Sequence, residues 1–374
     1  MLVAEPWNDA KKILCIRLDS LGDVLMTTPA IRAVKESLGE RRITILTSPA
    51  GAQGAALVPE IDAVITYEAP WMKATAETPS SKAEYAIAEQ LRKAEFDAAI
   101  IFTVYSQNPL PAAFLCHLAE IPLRLAHCRE NPYQLLSHWV CDPEPTSVVR
   151  HEVRRQIDLV ASVGCRTQDE RLSIRLPEGA GSRVSQLIRS LGVDQSERWV
   201  VVHPGASAPS RRYSPEGFAE AAQRLYLELG CQIIFTGNAD ERPLIGHIQD
   251  LMAVPSHSVV GMLTLVDLAA LLQQAPLLIA NNTGPVHIAA AVGTPVVDIY
   301  ALTNPQHTPW GVPNRVLSHD VPCKYCYKSF CPEGHHDCLR LIPPAAVFDA
   351  AADLLSTGFQ DGRAGKARTL ATVN

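Results

Sequence analysis

The stretch "LLIANNTGPVHIAAAVGTPVVDIY", residues 277–300, decides the fold. LLIAN is a short apolar run of the length and branching that suit a buried strand. PVHIAAAVG then reads as a helix, with Pro285 near its first turn. PVVDIY is a second buried-strand pattern. A strand, a helix and a strand in so short a span form a unit whose two strands lie parallel.

The same alternation extends in both directions. ILCIRL (13–18), ITILTS (43–48), AVITY (63–67), AAIIF (98–102) and LRLAH (123–127) read as strands, as do WVVVHP (199–204) and QIIFTG (232–237). Segments such as SKAEYAIAEQLRKAEF, SPEGFAEAAQRLYLEL and LTLVDLAALLQQA lie between them at helical spacing. The class is α/β, with parallel sheets covered by helices on both faces. Residues 164–195 break the alternation with a polar stretch containing PEGAGS, suited to a linker or domain edge. We therefore expect two Rossmann-like doubly wound domains facing a cleft, over residues 1–175 and 176–355. The last helix reads as PPAAVFDAAADLL, and residues 356–374 as a loose tail.

Composition narrows the function. The 374 residues are 47% hydrophobic and 19% charged, with a formal charge of −6. An acidic, aromatic-poor chain offers neither the field nor the stacking surface that nucleic acid requires. The N-terminus lacks the basic and apolar regions of a signal peptide, and no apolar run reaches the ~20 residues of a bilayer span. A cytoplasmic protein is expected. Lys11, Lys12, Arg32, Arg41 and Arg42 could face lipid headgroups at the inner membrane, or form ordinary solvated surface.

Open parallel sheets bind ligands beyond the carboxyl ends of their strands, so the loops after strands carry the chemistry. After the first strand, Ser20 and Gly22 belong to a loop in which Gly22 permits a tight turn and Asp23 begins a helix. Asp23 is either a capping, first-turn acid or a reactive carboxylate. In HPGASAPSRRYSPEGF, Gly205, Ala206 and Ser207 leave backbone N–H groups reachable, while Arg211 and Arg212 are solvated charges or a grip on phosphate. In TGNADERPLI, Asp240 and Glu241 either cap a helix or accept ribose hydroxyls. Thr283 and Gly284 lie at a helix N-terminus, where free N–H groups and the dipole favour an anion. His287 follows within about one turn, as a satisfied core histidine or, beside Thr-Gly, as a ligand donor.

IRLDSLGDVLMTTPAIRAVKE, HPGASAPSRRYSPEGFAE, FTGNADERPLI and NNTGPVHIAAAVGTPVV occur in this order. Together they resemble glycosyltransferase family 9, the ADP-heptose:lipopolysaccharide heptosyltransferases, from about residue 11 to 356. The resemblance implies the GT-B fold, an N-terminal acceptor domain and a C-terminal nucleotide-sugar domain. It implies inverting, metal-independent transfer of heptose from ADP-heptose to a lipopolysaccharide-core or other envelope glycan. Asp23 then matches the general base on the acceptor hydroxyl. Arg211 falls where the family usually has a lysine against the leaving diphosphate. Glu241 matches an acid near the donor ribose, with Asp240 as a substitute, and Thr283, Gly284 and His287 match the diphosphate loop. Asn282 departs from the family, which commonly has aspartate there.

Of ten cysteines, six are scattered and read as buried reduced thiols. The others form CKYCYKSFCPEGHHDC, with Cys323, Cys326, Cys331 and Cys338. Similar cysteine-rich segments occur in the family. The cluster is a structural zinc or iron site, or reduced thiols in a packed loop. Rival functions are a transferase acting on a secondary metabolite, exopolysaccharide or protein, a non-catalytic nucleotide-sugar binder, and a sugar-nucleotide epimerase. Loops 68–82 and 103–112 carry no recognisable acceptor code.

Overall fold

A computed structural model describes residues 5–72 and 80–361. The chain forms two units. Unit one runs through Ala180 and takes in Thr283–Gly293 and Asn304–Gly311; unit two comprises Gly181–Asn282, Thr294–Thr303 and the chain from Val312 onward.

Unit one carries β1 (Lys12–Arg17), β2 (Arg42–Thr47), β3 (Ala63–Thr66), β4 (Ala98–Ile101), β5 (Leu123–Cys128) and β6 (His138–Cys141). They pair in the order β3-β2-β1-β4-β5-β6, every pair parallel. Unit two carries β7 (Trp199–His203), β8 (Gln232–Phe235), β9 (His257–Ser258), β10 (Leu278–Asn281), β11 (Val296–Ile299) and β12 (Asn314–Leu317). Its order is β12-β11-β10-β7-β8-β9, again all parallel. Counted within each unit, both orders are 3-2-1-4-5-6, the dinucleotide-fold order. The chain reverses its winding between β1 and β4, and between β7 and β10. Helices leave to opposite faces there, which opens a crevice above the carboxyl ends of those strands. β1, β4, β7, β10 and β11 are buried almost throughout, which is why they read as continuous apolar runs.

Three strands escaped the sequence reading, and all three lie at sheet edges: β6, β9 and β12. β6 alternates between half-buried and exposed positions, so it lacks an apolar run. The polar stretch 164–195 also contains a helix, Ala180–Ser190. Its Val184 and Ile188, one turn apart, are buried, a narrow apolar stripe in a charged sequence.

The structure corrects several expectations. The last helix, Pro344–Asp361, continues beyond residue 355, so the tail does not begin at 356; residues 362–374 lie outside the described residues. So do residues 1–4 of the N-terminal stretch and 73–79 of the loop 68–82. Cys141 is exposed, unlike the other five scattered cysteines. Arg41 is buried and donates to the carbonyls of Ala10 and Val34, so it faces no headgroup. Arg32 is turned inward as well, onto Glu60 and the carbonyls of Asp169 and Arg171. Among the described residues no helix is long and apolar enough to cross a membrane.

Candidate active site

In unit one, the loop after β1 is organised by a buried guanidinium. Arg17, the last residue of β1, is fully buried. Its Nη1 donates to Glu152 Oε1 at 2.6 Å, its Nη2 donates to Asp23 Oδ1 at 3.1 Å, and its Nε lies 3.0 Å from Asp19 Oδ2. One fixed positive charge thus faces three carboxylates. Gln107 donates to the other oxygen of Asp19 at 2.5 Å, and Gln156 donates to Glu152 at 2.6 Å.

Asp23 takes the capping role expected of it and turns its other oxygen toward charged groups. It is the third residue of the helix Leu21–Ser37, and its Oδ2 accepts the Ser20 N–H at 3.1 Å and the Ser20 hydroxyl at 2.6 Å. This half of the carboxylate closes the helix N-terminus. The other half, Oδ1, faces Arg17 and lies 3.8 Å from His307 Nε2. Burial pushes the Asp23 carboxyl upward, but Arg17, His307, the Ser20 hydroxyl and His287 outweigh it and hold the group well below the usual carboxylate range. Asp19 goes the other way. Burial, aided by the neighbouring Asp23 charge, overcomes Arg17 and pushes it up to about 6. Two neighbouring acids that share one guanidinium are thereby driven apart.

Gly22 is not in a turn. It lies inside the helix Leu21–Ser37, and a methyl group there would stand 2.6 Å from Cδ2 of His287. Its missing side chain lets the His287 ring reach the first turn. His287 is buried on the helix Gly284–Val292, which packs against the helix Leu21–Ser37 in unit one. Thr283 caps that helix, and Gly284 is its first residue. The pair thus stands at the positive end of the helix, as the sequence predicts.

Unit two builds its own switch point. Asn281, at the end of β10, donates to the Pro204 carbonyl at 2.7 Å and accepts the Tyr213 N–H at 3.0 Å. One buried amide therefore ties down both ends of the loop 204–213. Within it, Ser207 is exposed, Arg212 is exposed and donates to the Ala206 carbonyl at 2.9 Å, and Arg211 is half-buried. Arg211 ends the turn Pro209–Arg211, and its side chain makes no hydrogen bond or ion pair among the described residues. Glu241 reaches over β7: a methyl on Gly205 would fall 1.9 Å from its Oε1. Its Oε2 accepts the Asn238 N–H at 2.8 Å, so it too serves partly as a cap. Asp240 is exposed.

The amide at 282 has a structural counterpart. Asn282 donates to Asp298 Oδ2 at 2.9 Å, and Asp298 is a fully buried acid inside β11. Burial pushes Asp298 up to about 8, against the pull of the Asn282 amide. A second carboxylate at 282 would face this one. The folded protein therefore holds a proton that an unfolded aspartate has released by pH ~4. Between pH ~4 and ~8 the native state binds more protons, so stability falls as pH rises, by at most about 1.4 kcal/mol per pH unit, and levels off above that window. Asp298→Asn should remove this slope. Melting curves at pH 5, 6.5 and 8 will show the variant gaining on wild type as pH rises; parallel curves would refute the assignment.

The four clustered cysteines are half-buried in unit two. Burial raises the Cys338 thiol, and the nearby Cys331, Cys323 and Cys326 add to the effect. Cys323 Sγ lies 3.8 Å from His335 Nε2. Among the described residues, however, no three His, Cys, Asp or Glu side chains stand where they could share a metal ion. The visible work of this segment is mechanical. The carbonyls of Ser329 and Lys328 accept from the Ser210 N–H at 3.0 Å and the Ser210 hydroxyl at 2.8 Å, fixing the turn that carries Arg211.

Sequence reading missed Arg17, Asp19, Glu152, Asp298 and His307. His307 was within reach of the loop rule: it lies in ALTNPQHTPWG, directly after β11, whose following loop went unread, as did those after β2 and β5. Asp19 stands in the loop after β1, which was read without it; Arg17, Glu152 and Asp298 gave no local signal, since their importance arises from contacts between separate segments.

The family model of glycosyltransferase family 9 (heptosyltransferase) matches residues 84–336. The lipopolysaccharide core heptosyltransferase OpsX of Haemophilus influenzae is 22% identical over 83% of this chain and 86% of its own. The crystal structure of a family 9 glycosyl transferase from Veillonella parvula superposes with a TM-score of 0.75 at 21% identity, covering 96% of this chain and 99% of that one. E. coli ADP-heptose LPS heptosyltransferase II gives 0.71 at 23% identity, over 92% and 99%. The iron-containing glycosyltransferase TibC from enterotoxigenic E. coli gives 0.54 at 16% identity, over 93% and 77%. The two parallel-sheet units are those of the GT-B fold.

Proposed function

The chain belongs to glycosyltransferase family 9, the heptosyltransferase family, and is a glycosyltransferase; from that premise we propose that it moves heptose from ADP-heptose to a glycan or glycolipid of the cell envelope, with inversion and without a catalytic metal. The observation that carries the reading is the placement of Asp23, at the carboxyl end of β1, between a buried arginine and two histidines.

The chemistry follows from charge. An acceptor hydroxyl must shed a proton as it attacks the anomeric carbon, and the nucleoside diphosphate gains charge as it leaves. Unit one supplies negative charge for the first event through Asp23. Arg211, with uncommitted donors, and the helix N-terminus at Thr283–Gly284 suit the second. Glu241, seated on Gly205, suits the hydroxyls of a ribose. The cysteine cluster has no step in this scheme. Work close to the cytoplasmic face of the inner membrane fits a lipid-linked acceptor.

The deciding experiment offers the purified protein ADP-heptose and a series of other nucleotide sugars, with and without core glycan acceptors. ADP-heptose should raise the melting temperature and be consumed only when acceptor is present. Consumption without acceptor would point to an epimerase, and binding without consumption to a non-catalytic binder; either result overturns the proposal.

A further inference from the structure

In unit two, the central strand β7 ends on His203, and Thr236 directly follows the neighbouring β8. The two meet across the strand ends. His203 Nδ1 lies 3.0 Å from Thr236 Oγ1, and the Thr236 N–H donates to the Val202 carbonyl at 3.0 Å. One edge of the ring is thereby tied down at the carboxyl end of the sheet, beside the switch point between β7 and β10. The other ring nitrogen, Nε2, makes no hydrogen bond among the described residues. His203 keeps 8% of its surface exposed, and Nε2 shares in that exposure rather than being sealed in the core.

Glu241 stands next to the ring. A methyl on Gly205 would fall 1.9 Å from its Oε1, and one on Gly237 would fall 2.9 Å from its Oε2. The two glycines that follow β7 and β8 thus let the carboxylate lie across the strand ends, near enough for its charge to act on His203. Oε2 accepts the Asn238 N–H, while Oε1 accepts no hydrogen bond among the described residues. Burial holds the His203 ring below the ordinary histidine range, against the pull of Glu241, so the ring is neutral near pH ~7.

These two atoms select a ligand group. A carboxylate oxygen only accepts, whereas Nε2 of a neutral ring donates or accepts according to how the Thr236 hydroxyl is turned. A hydroxyl pairs with both in either case, because it donates and accepts. A phosphate oxygen offers only lone pairs and would face the Glu241 charge.

We propose that His203 Nε2 holds a hydroxyl of the donor's ribose, beside the hydroxyl given to Glu241 Oε1, so that the two side chains together read the sugar of the nucleotide. This deepens the transferase reading and rests on it. His203 is then a specificity-determining residue, which rejects a deoxyribonucleotide because a polar atom would be left unpaired.

Calorimetric titration of the full-length protein with ADP, 2′-deoxy-ADP and 3′-deoxy-ADP tests this. Wild type should bind at least one deoxy nucleotide about tenfold more weakly than ADP. Two variants separate ligand contact from packing. The amide of His203→Asn can overlie Nδ1 and keep the Thr236 contact but reaches nothing at Nε2; the amide of His203→Gln can overlie Nε2. His203→Asn should weaken ADP about tenfold and level the difference between ADP and one deoxy nucleotide, while His203→Gln should keep that difference. Nitrogen NMR of the wild-type ring needs no variant: ADP should move the His203 Nε2 resonance further than the weakly bound deoxy nucleotide does. Equal shifts, a wild type indifferent to both hydroxyls, or a His203→Asn that discriminates as wild type does overturns the proposal alone. Wild-type protein that binds no ADP overturns the donor reading, and the role of His203 with it.

Discussion

Arg17→Met should destabilise unit one by about 3–5 kcal/mol, because it leaves buried carboxylates without their cation. Asp19, Asp23 and Glu152 converge on this guanidinium, and Glu152 is as fully buried as Arg17 itself. Methionine fills much of the volume, so a cavity is not the cause. The loss should also depend on pH. In wild type, Asp23 is held below its unfolded value, so its contribution is present above pH ~4 and disappears on acidification. Without Arg17 the three acids repel one another and resist burial, and their affinity for protons rises. The variant should then be most impaired above neutral pH and recover toward pH 5. Thermal or urea unfolding at pH 5, 6.5 and 8 would show it. A variant with wild-type stability at pH 8 would mean that the acids are neutral in the fold and that Arg17 does not neutralise them.

Arg17 also shows what a sequence can and cannot disclose. The strands it belongs to were readable because both faces of a parallel sheet are covered, which writes burial as an apolar run. The edge strands β6, β9 and β12 were not, because polar residues break their apolar runs, whereas the exposed edge strand β3 keeps apolar residues and was read. Gly22, Asp23, Thr283, Gly284 and His287 were found because helix starts after strands have local rules. Gly22 was nevertheless misread: its purpose is to admit a ring from a helix hundreds of residues away, which no local rule contains. Asp298 lay hidden inside an apolar strand, and only the 2.9 Å contact with Asn282 reveals where the buried carboxylate resides in this chain.

The cluster has a consequence for how activity should fail. Asp23→Asn should leave the fold nearly intact and lower kcat by about 10²–10⁴-fold. Arg17 keeps Asp19 and Glu152 as partners, so no buried charge is stranded. Ser20 is exposed, and water can replace what the amide no longer accepts, at a cost of about 1 kcal/mol. What disappears is the negative charge 3.8 Å from His307, present at the moment the acceptor loses its proton. That charge matters in the transition state rather than in binding. The fall should therefore appear in kcat, with ADP affinity little changed. Isothermal titration with ADP beside steady-state transfer assays separates the two. If the variant turned over normally, Asp23 would be only the cap of its helix; if it lost ADP affinity to the same degree as kcat, its charge would serve the nucleotide and not the incoming hydroxyl.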